Sequence, residues 1–459
     1  MRLSRLLAVI ASFLCFSATC FPQSGQPSFY SVPPVDAPEL APRGSYSVGV
    51  RTLDLVNPKQ VDILSVDPKT GKAPLYDRPL RIEIWYPASI PAGAEERTYY
   101  EAPLPIPPPP GAPKTFLTAG KALRDAQPVS GKSFPLVVVS HGYPGSRTFL
   151  TYLTENLASK GYVVAAIDHT DSVWGDIKPF PSTLFNRSTD QLFTIRALTE
   201  QASKSGNFLH GLLDAANVAI VGYSMGGYGA LASAGAGYSK DSILAKGIPP
   251  AVSGLPPEYS EGLLAASPEF AARALPNLKA IVAISPWGAQ PPYNSWDAEG
   301  LAGIRIPSLF IVGDQDDISG YQPGVKPAFD GAVHSDRCLL VFENARHNIG
   351  GNPAPPEASG SFVTREYFEE PVWRHDRINA INQHFITAFL DLYLKGDQSR
   401  RPYLHPAVEK SNDGKWPLSP GQNVGADFSS GDPQANQTVW KGFQRRWAVG
   451  LELHCVAPK

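Results

Sequence analysis

The feature that most restricts how this chain can fold is a series of short apolar runs alternating with helix-length segments. The first, Phe134-Pro-Leu-Val-Val-Val-Ser140, is unbroken by polar residues and too short for a core helix, so it reads as a strand buried on both faces. Residues 162–167, 218–221, 278–284, 308–312 and 338–342 read as further strands. Between and after them lie helical segments at 148–160, stopped by Gly161, at 189–204 and at 228–236. In 378–395, Ile378, Ile381, Phe385, Ile386, Phe389 and Leu390 fall three and four apart, one apolar face that ends at Gly396. Strands alternating with helices define the α/β class, with a mostly parallel central sheet and helices on both its faces. Ahead of this series, 46–55 and 80–86 alternate apolar and polar residues, as half-buried strands do.

The rest of the chain decorates that unit. Of 459 residues, 43% are hydrophobic and 18% charged, so the core is large and the composition ordinary for a globular chain. A formal net charge of -2 excludes a broad basic surface for nucleic acid. Arg2 and Arg5, the short apolar stretch 6–16 and the small Ser17, Ala18 and Thr19 form a signal-peptide pattern over 1–22, which predicts export to the periplasm or the extracellular space. The alternatives there are a membrane anchor or lipid attachment at Cys20, for which the preceding Thr19 is a poor residue. No later segment is long and apolar enough for stable membrane insertion. Residues 23–400 are expected to form the catalytic domain, opened by a proline-rich lead-in over 23–45 and interrupted by a proline-rich stretch over 103–113. A lid-like insertion is expected at 237–276, over the C-terminal ends of the strands, and 401–459 as an extension packed on the domain. Cys338 and Cys455 either form one disulfide or are two unrelated thiols.

Four places carry chemistry. Gly222-Tyr-Ser224-Met-Gly226 follows an apolar strand and precedes a small-residue helix, the context in which G-x-S-x-G forms a nucleophile elbow. Ser140-His-Gly-Tyr-Pro-Gly145 closes the first buried strand, where the backbone N–H of Tyr143, together with that of Met225, can form an oxyanion hole. His141 itself is read as structural. Beyond the strand at 308–312 lie Asp314, Asp316 and Asp317; Asp316, three residues after Gly313, is the preferred acid, Asp317 the runner-up, and Asp314 a turn-former. His347, in the loop after the strand at 338–342, completes the order Ser224, Asp316, His347 as general base. His169 and Asp171 end a strand without further ligands nearby, so no metal or other cofactor is expected, and they are read as structural or as the pocket edge. Tyr143, Trp174, Trp287 and Trp296 are pocket walls or core.

The stretch Val139-Ser-His-Gly-Tyr-Pro-Gly-Ser-Arg-Thr148, followed by Leu157-Ala-Ser-Lys-Gly-Tyr-Val-Val-Ala-Ala-Ile-Asp-His-Thr-Asp171, resembles the platelet-activating-factor acetylhydrolases of the α/β-hydrolase fold and their dienelactone-hydrolase-like bacterial relatives. The Gly142-Tyr143 loop and the elbow with Met225 are also similar to those of bacterial cutinases and polyester hydrolases. The resemblance spans about 45 to 396 and implies an esterase acting on short or accessible acyl groups, with a small-molecule or lipid-like ester as the expected partner. It departs in two respects. The mammalian acetylhydrolases place their acid after the strand that follows the elbow helix, where this chain reads Ile284-Ser-Pro-Trp287. Dienelactone hydrolases use cysteine, and haloalkane dehalogenases aspartate, where this chain has Ser224. Cleavage of carboxylic esters through an acyl-enzyme is therefore the leading expectation. An amidase or peptidase with the same triad, and a non-catalytic binding protein on a hydrolase fold, are the alternatives.

Overall fold

The strands anticipated at 46–55 and 80–86 form one long antiparallel pair. A computed structural model describes residues 30–107, 110–111, 114–242, 257–415, 438–444 and 447–459. In it β1 (Ser47–Val61) pairs with β2 (Leu75–Ser89) almost end to end. The buried runs follow as β3 (Phe134–Ser140), β4 (Val163–Asp168), β5 (Leu213–Tyr223), β6 (Leu278–Ile284), β7 (Ser308–Gly313) and β8 (Arg337–Phe342), hydrogen-bonded in parallel in the order β4-β3-β5-β6-β7-β8. β2 joins β4 antiparallel at one side, and β9 (Leu451–Val456) joins β8 antiparallel at the other. Two-residue strands, Leu123–Arg124 on β1 and Gln127–Pro128 on β2, complete an eleven-stranded mixed sheet.

Both faces of this sheet are covered, which explains why its central strands lack polar alternation. In β3, Val137 and Val139 belong to one core with Leu153 and Leu157 of α1 (Thr151–Ser159). Leu136 and Val138 point the other way, into a core with Leu184 and Ile195 of α2 (Phe180–Ser203) and Leu231 of α3 (Met225–Ser233). The apolar stripe of α4 (His375–Leu394) packs beside α1 through Ile381, Phe385 and Phe389. The α/β class is as expected, and the sheet with helices on both faces has the α/β-hydrolase architecture.

Three elements depart from the sequence reading. Helix α2 starts at Phe180 rather than 189, because its first turns bury Ser182, Asn186, Arg187 and Ser188 instead of an apolar stripe. A small two-stranded sheet, Thr98–Pro103 with Thr115–Gly120, flanks the proline-rich stretch. The C-terminal segment supplies β9, whose Leu451 and Leu453 are buried. Of the insertion at 237–276, the described parts lie beside α2 and α3. Tyr238 stacks on Trp296, and Arg273 donates to Ser188 and Thr189. Tyr259 Oη accepts the Ala73 N–H from the β1–β2 connection at 2.6 Å. Residues 243–256 and the signal-peptide pattern at 1–22 lie outside the described residues. No helix among the described residues is long and apolar enough to cross a membrane.

Cys338 and Cys455 sit directly opposite each other in the β8–β9 ladder and are joined as a disulfide across 117 residues of sequence. Crosslinking so long a loop restricts the unfolded chain, an effect of about 2–5 kcal/mol. Cys455→Ser is therefore expected to lower the urea midpoint clearly under non-reducing conditions. Wild type and variant should converge once a reductant is added.

Candidate active site

The turn from β5 into α3 holds Ser224 at φ 53°, a left-handed conformation unusual for a residue with a side chain. It persists because the surroundings fix the backbone. Ser224 N–H donates to Ile284 O at 2.8 Å, and Ser224 O accepts from Trp287 N–H and Tyr228 N–H. The flanking glycines are needed for close approach: a Cβ on Gly222 would lie 2.1 Å from Gly226 O, and one on Gly226 2.0 Å from Ser140 O. The strain lifts the Ser224 side chain out of the strand end toward the loops after β7 and β8.

Those loops bring the other two groups to it. His347 Nε2 lies 2.9 Å from Ser224 Oγ, and His347 Nδ1 lies 3.0 Å from both carboxylate oxygens of Asp316. All three residues are buried. Asp316 Oδ1 also accepts the N–H groups of Ile318 and Ser319, at 3.0 and 2.9 Å. Burial pushes this carboxyl upward, but His347 and the two N–H groups outweigh it and hold Asp316 below the usual carboxylate range. The acid loop is tied to the β6 end through Ser319 Oγ, which donates to Ser285 O at 2.8 Å. Tyr223, next to Ser224, packs tilted against the His347 ring and donates to His347 O and Asn348 Oδ1. The two rival acids are occupied elsewhere. Asp317 pairs with Arg346 at the surface, and Asp314 accepts the Asn344 N–H at 2.7 Å within the turn.

The loop proposed for oxyanion binding lies against Ser224. A Cβ on Gly142 would be 3.3 Å from Ser224 Cβ, and Met225 is the first residue of α3, where N–H groups lack intrahelical acceptors. Beneath this loop is a buried polar network that the sequence reading did not anticipate. His169 meets Ser140 Oγ at 2.7 Å through Nε2 and Asp190 Oδ2 at 3.0 Å through Nδ1. Asp190 in turn is gripped by Arg78, which also pairs with Asp171 at 2.7 Å. Arg187 donates to His141 O at 2.5 Å, and His141 Nε2 accepts the His169 N–H. His141, His169 and Asp171 thus serve the architecture under the site. Arg78, Arg187 and Asp190 escaped notice because isolated charges in a polar stretch read as solvated surface, and only the fold brings them under the β3 and β4 ends.

Burial, and then the charge of Arg187, lowers the His169 pKa to about 3, although Asp190 opposes this. Burial, and then Lys160, does the same to His384. His141 is also pushed well down by burial, followed by Arg187. These rings stay neutral in the fold, whereas in the unfolded chain histidine takes up a proton near pH 6.5. The stabilisation is therefore complete above about pH 6.5 and is lost as pH falls toward 3, at about 1.4 kcal/mol per pH unit for each ring. Urea midpoints should fall from pH 7 to pH 5, and equal midpoints would contradict this.

Aromatic rings crowd one side of Ser224. Phe180 packs edge-on against both Tyr143 and Trp287, and Tyr293 lies 4.3 Å from Trp287 between centroids. The backbone N–H of Trp287 donates to Ser224 O at 3.1 Å. Of the four rings marked as walls or core, Tyr143 and Trp287 stand beside the site. Trp296 packs with Tyr228 and Tyr238, donating to Ala236 O at 3.1 Å. Trp174 packs among Phe116, Phe149 and Phe368. Phe180 and Tyr293 were not marked. Among the described residues no cluster of histidine, cysteine and acidic side chains is arranged to hold a metal ion.

Known proteins resemble this arrangement. Residues 126–250, which include the 140–145 loop and the turn at Ser224, match a family model described as PET hydrolase-like. Cutinase est1 of Thermobifida alba is 25% identical over 221 residues, covering 48% of this chain and 55% of that protein. A bis(hydroxyethyl) terephthalate hydrolase of Streptomyces coelicolor is 23% identical over 219 residues, covering 48% and 52%. The chain thus spans about half the length of these curated relatives. Among solved structures, a ferulic acid esterase from Streptomyces cinnamoneus aligns with a TM-score of 0.48 and 20% identity, over 80% of this chain and 94% of that one. The matched relatives are ester hydrolases by name, in keeping with the resemblance to esterases read from the loop and elbow.

Proposed function

We propose that this chain is an exported serine hydrolase that cleaves carboxylic esters through an acyl-enzyme. The observation that carries the reading is the continuous hydrogen-bonded line from Ser224 through His347 to Asp316 at the end of a strained strand-turn-helix. His347 Nε2 takes the Ser224 proton as Oγ attacks the ester carbonyl, then returns it to the departing alcohol. Asp316, acting through Nδ1, fixes the ring tautomer and steadies the imidazolium. The N–H groups of Tyr143 and Met225 receive the oxygen of the tetrahedral intermediate. Water then repeats the sequence and releases the acid. Export rests on the pattern at 1–22, since that segment lies outside the described residues.

The aromatic group of Tyr143, Phe180, Trp287 and Tyr293, packed edge-on and tilted, offers an apolar wall beside the nucleophile. It favours esters with an aromatic or extended apolar portion over small polar ones. The relatives named for cutin and for a terephthalate diester agree with that preference. The test is labelling by a fluorophosphonate probe, with the modified peptide located by mass spectrometry, alongside hydrolysis of p-nitrophenyl butyrate. Labelling at Ser224 with ester turnover is the expected result. Folded protein that neither labels nor turns over would leave a binding role in its place.

A further inference from the structure

The polar network under the oxyanion loop holds two fully buried cations, Arg78 and Arg187, and the second reaches the loop itself. Arg187 extends from α2 and donates through Nη1 to His141 O at 2.5 Å, and through Nη2 to Ser172 Oγ at 2.7 Å and Thr183 Oγ1 at 3.0 Å. Both terminal nitrogens also reach Gly142 O, at 3.5 and 3.4 Å. A third donor meets the same oxygen. His141 Nε2 accepts the His169 N–H, which leaves the ring proton on Nδ1, and Nδ1 lies 2.7 Å from Gly142 O.

Gly142 O matters because of what shares its peptide plane. The carbonyl of Gly142 and the N–H of Tyr143 are opposite ends of one planar trans amide, so holding the first aims the second. Donors on the carbonyl also polarise the amide and make its N–H a stronger donor. Gly142 lies against Ser224, so this amide borders the nucleophile.

We propose that Arg187 is a positioning residue of the oxyanion hole: by gripping the carbonyls of His141 and Gly142 it turns the Tyr143 N–H toward Ser224. The role rests on the ester-hydrolase reading and extends it. Charge supports it as well. Asp190, the nearest acid on α2, is engaged by Arg78 and His169, and among the described residues no carboxylate is in ion-pair contact with Arg187. Burial lowers the Arg187 pKa to about 9; the charge of Asp190 opposes this and that of Arg78 adds to it, and the group stays charged at neutral pH. That charge sits behind the amide that must receive the negative oxygen.

The test uses the full chain with Arg187→Met and Arg187→Lys, with kcat expressed per site titrated by fluorophosphonate. The second readout is affinity for a trifluoromethyl ketone, whose adduct with the serine carries an oxyanion. Arg187→Met is expected to lower kcat about 10- to 100-fold with KM changed less than about twofold, and to weaken the ketone by the same factor. Arg187→Lys, keeping the charge but not the fork, is expected to fall between. Unchanged turnover per titrated site, with only a lower Tm, overturns the proposal, as does a ketone affinity that does not follow kcat. If Arg187→Met does not fold, Ser172→Ala removes one anchor of the guanidinium and is expected to give a smaller loss in both readouts; no loss in either overturns the proposal. Wild-type protein that neither labels nor hydrolyses overturns the ester-hydrolase reading, and this role with it.

Discussion

Replacing Ser224 by alanine is expected to lower kcat for p-nitrophenyl butyrate by about 10,000- to 1,000,000-fold while leaving the protein folded. The substitution removes only the Oγ atom. The backbone bonds that shape the turn, from Ser224 N–H to Ile284 O and from Tyr228 and Trp287 to Ser224 O, do not involve the side chain. The positive φ at 224 is as costly for alanine as for serine, so the strain is unchanged. His347 stays anchored by Asp316, and a water beside it can still be activated weakly in the field of the oxyanion donors. Such residual catalysis sets the floor, and the expected loss corresponds to about 5–8 kcal/mol of transition-state stabilisation. Tm and circular dichroism should match wild type, and fluorophosphonate labelling should vanish. A variant that keeps more than a few per cent of wild-type turnover removes Ser224 from the chemistry and the proposed mechanism with it.

How much of this was legible in the sequence follows from which residues are apolar. The central strands could be read because a strand covered on both faces must be apolar throughout, and β6 was bounded at 278–284, as it is found. The elbow was legible because its glycines answer to backbone contacts only 2.0 and 2.1 Å from where a Cβ would lie. Ser224, Asp316 and His347 were named from chain order and loop position, and the structure brings them together. The start of α2 was not legible. Its buried face carries Arg187 and Asp190, whose partners come from 78, 141, 142, 169 and 172, and no local periodicity encodes such tertiary contacts. Nor was β9, since Leu451 and Leu453 alone make too short an alternation, and its place is set by pairing with β8 and by Cys338. Whether the two thiols would meet was open for the same reason.

The adjacent acids give the second large effect, because two neighbouring residues are expected to behave in opposite ways. Asp316→Asn should lower kcat at neutral pH by about 1,000- to 10,000-fold, and Asp317→Asn should stay within about threefold of wild type. At 316 the asparagine keeps the shape, and its Oδ1 can still accept the N–H groups of Ile318 and Ser319. With that oxygen so held, the Nδ2 amide faces His347 Nδ1, where both carboxylate oxygens now lie at 3.0 Å. An amide donor there favours the ring tautomer protonated at Nε2, the nitrogen that must take the Ser224 proton, and the base is blocked. The lost negative charge also leaves the imidazolium of the transition state without its counter-ion in a buried site. At 317 neither cost arises. Its carboxylate is half-exposed and pairs with the equally exposed Arg346, a contact of the kind that contributes about 0–1 kcal/mol. Because His347 and the two N–H groups outweigh its burial, Asp316 keeps its charge to lower pH than an ordinary carboxylate does. If Asp317→Asn instead carries the large loss while Asp316→Asn is nearly neutral, the acid belongs to the neighbouring residue and the acid loop must rearrange in the working enzyme.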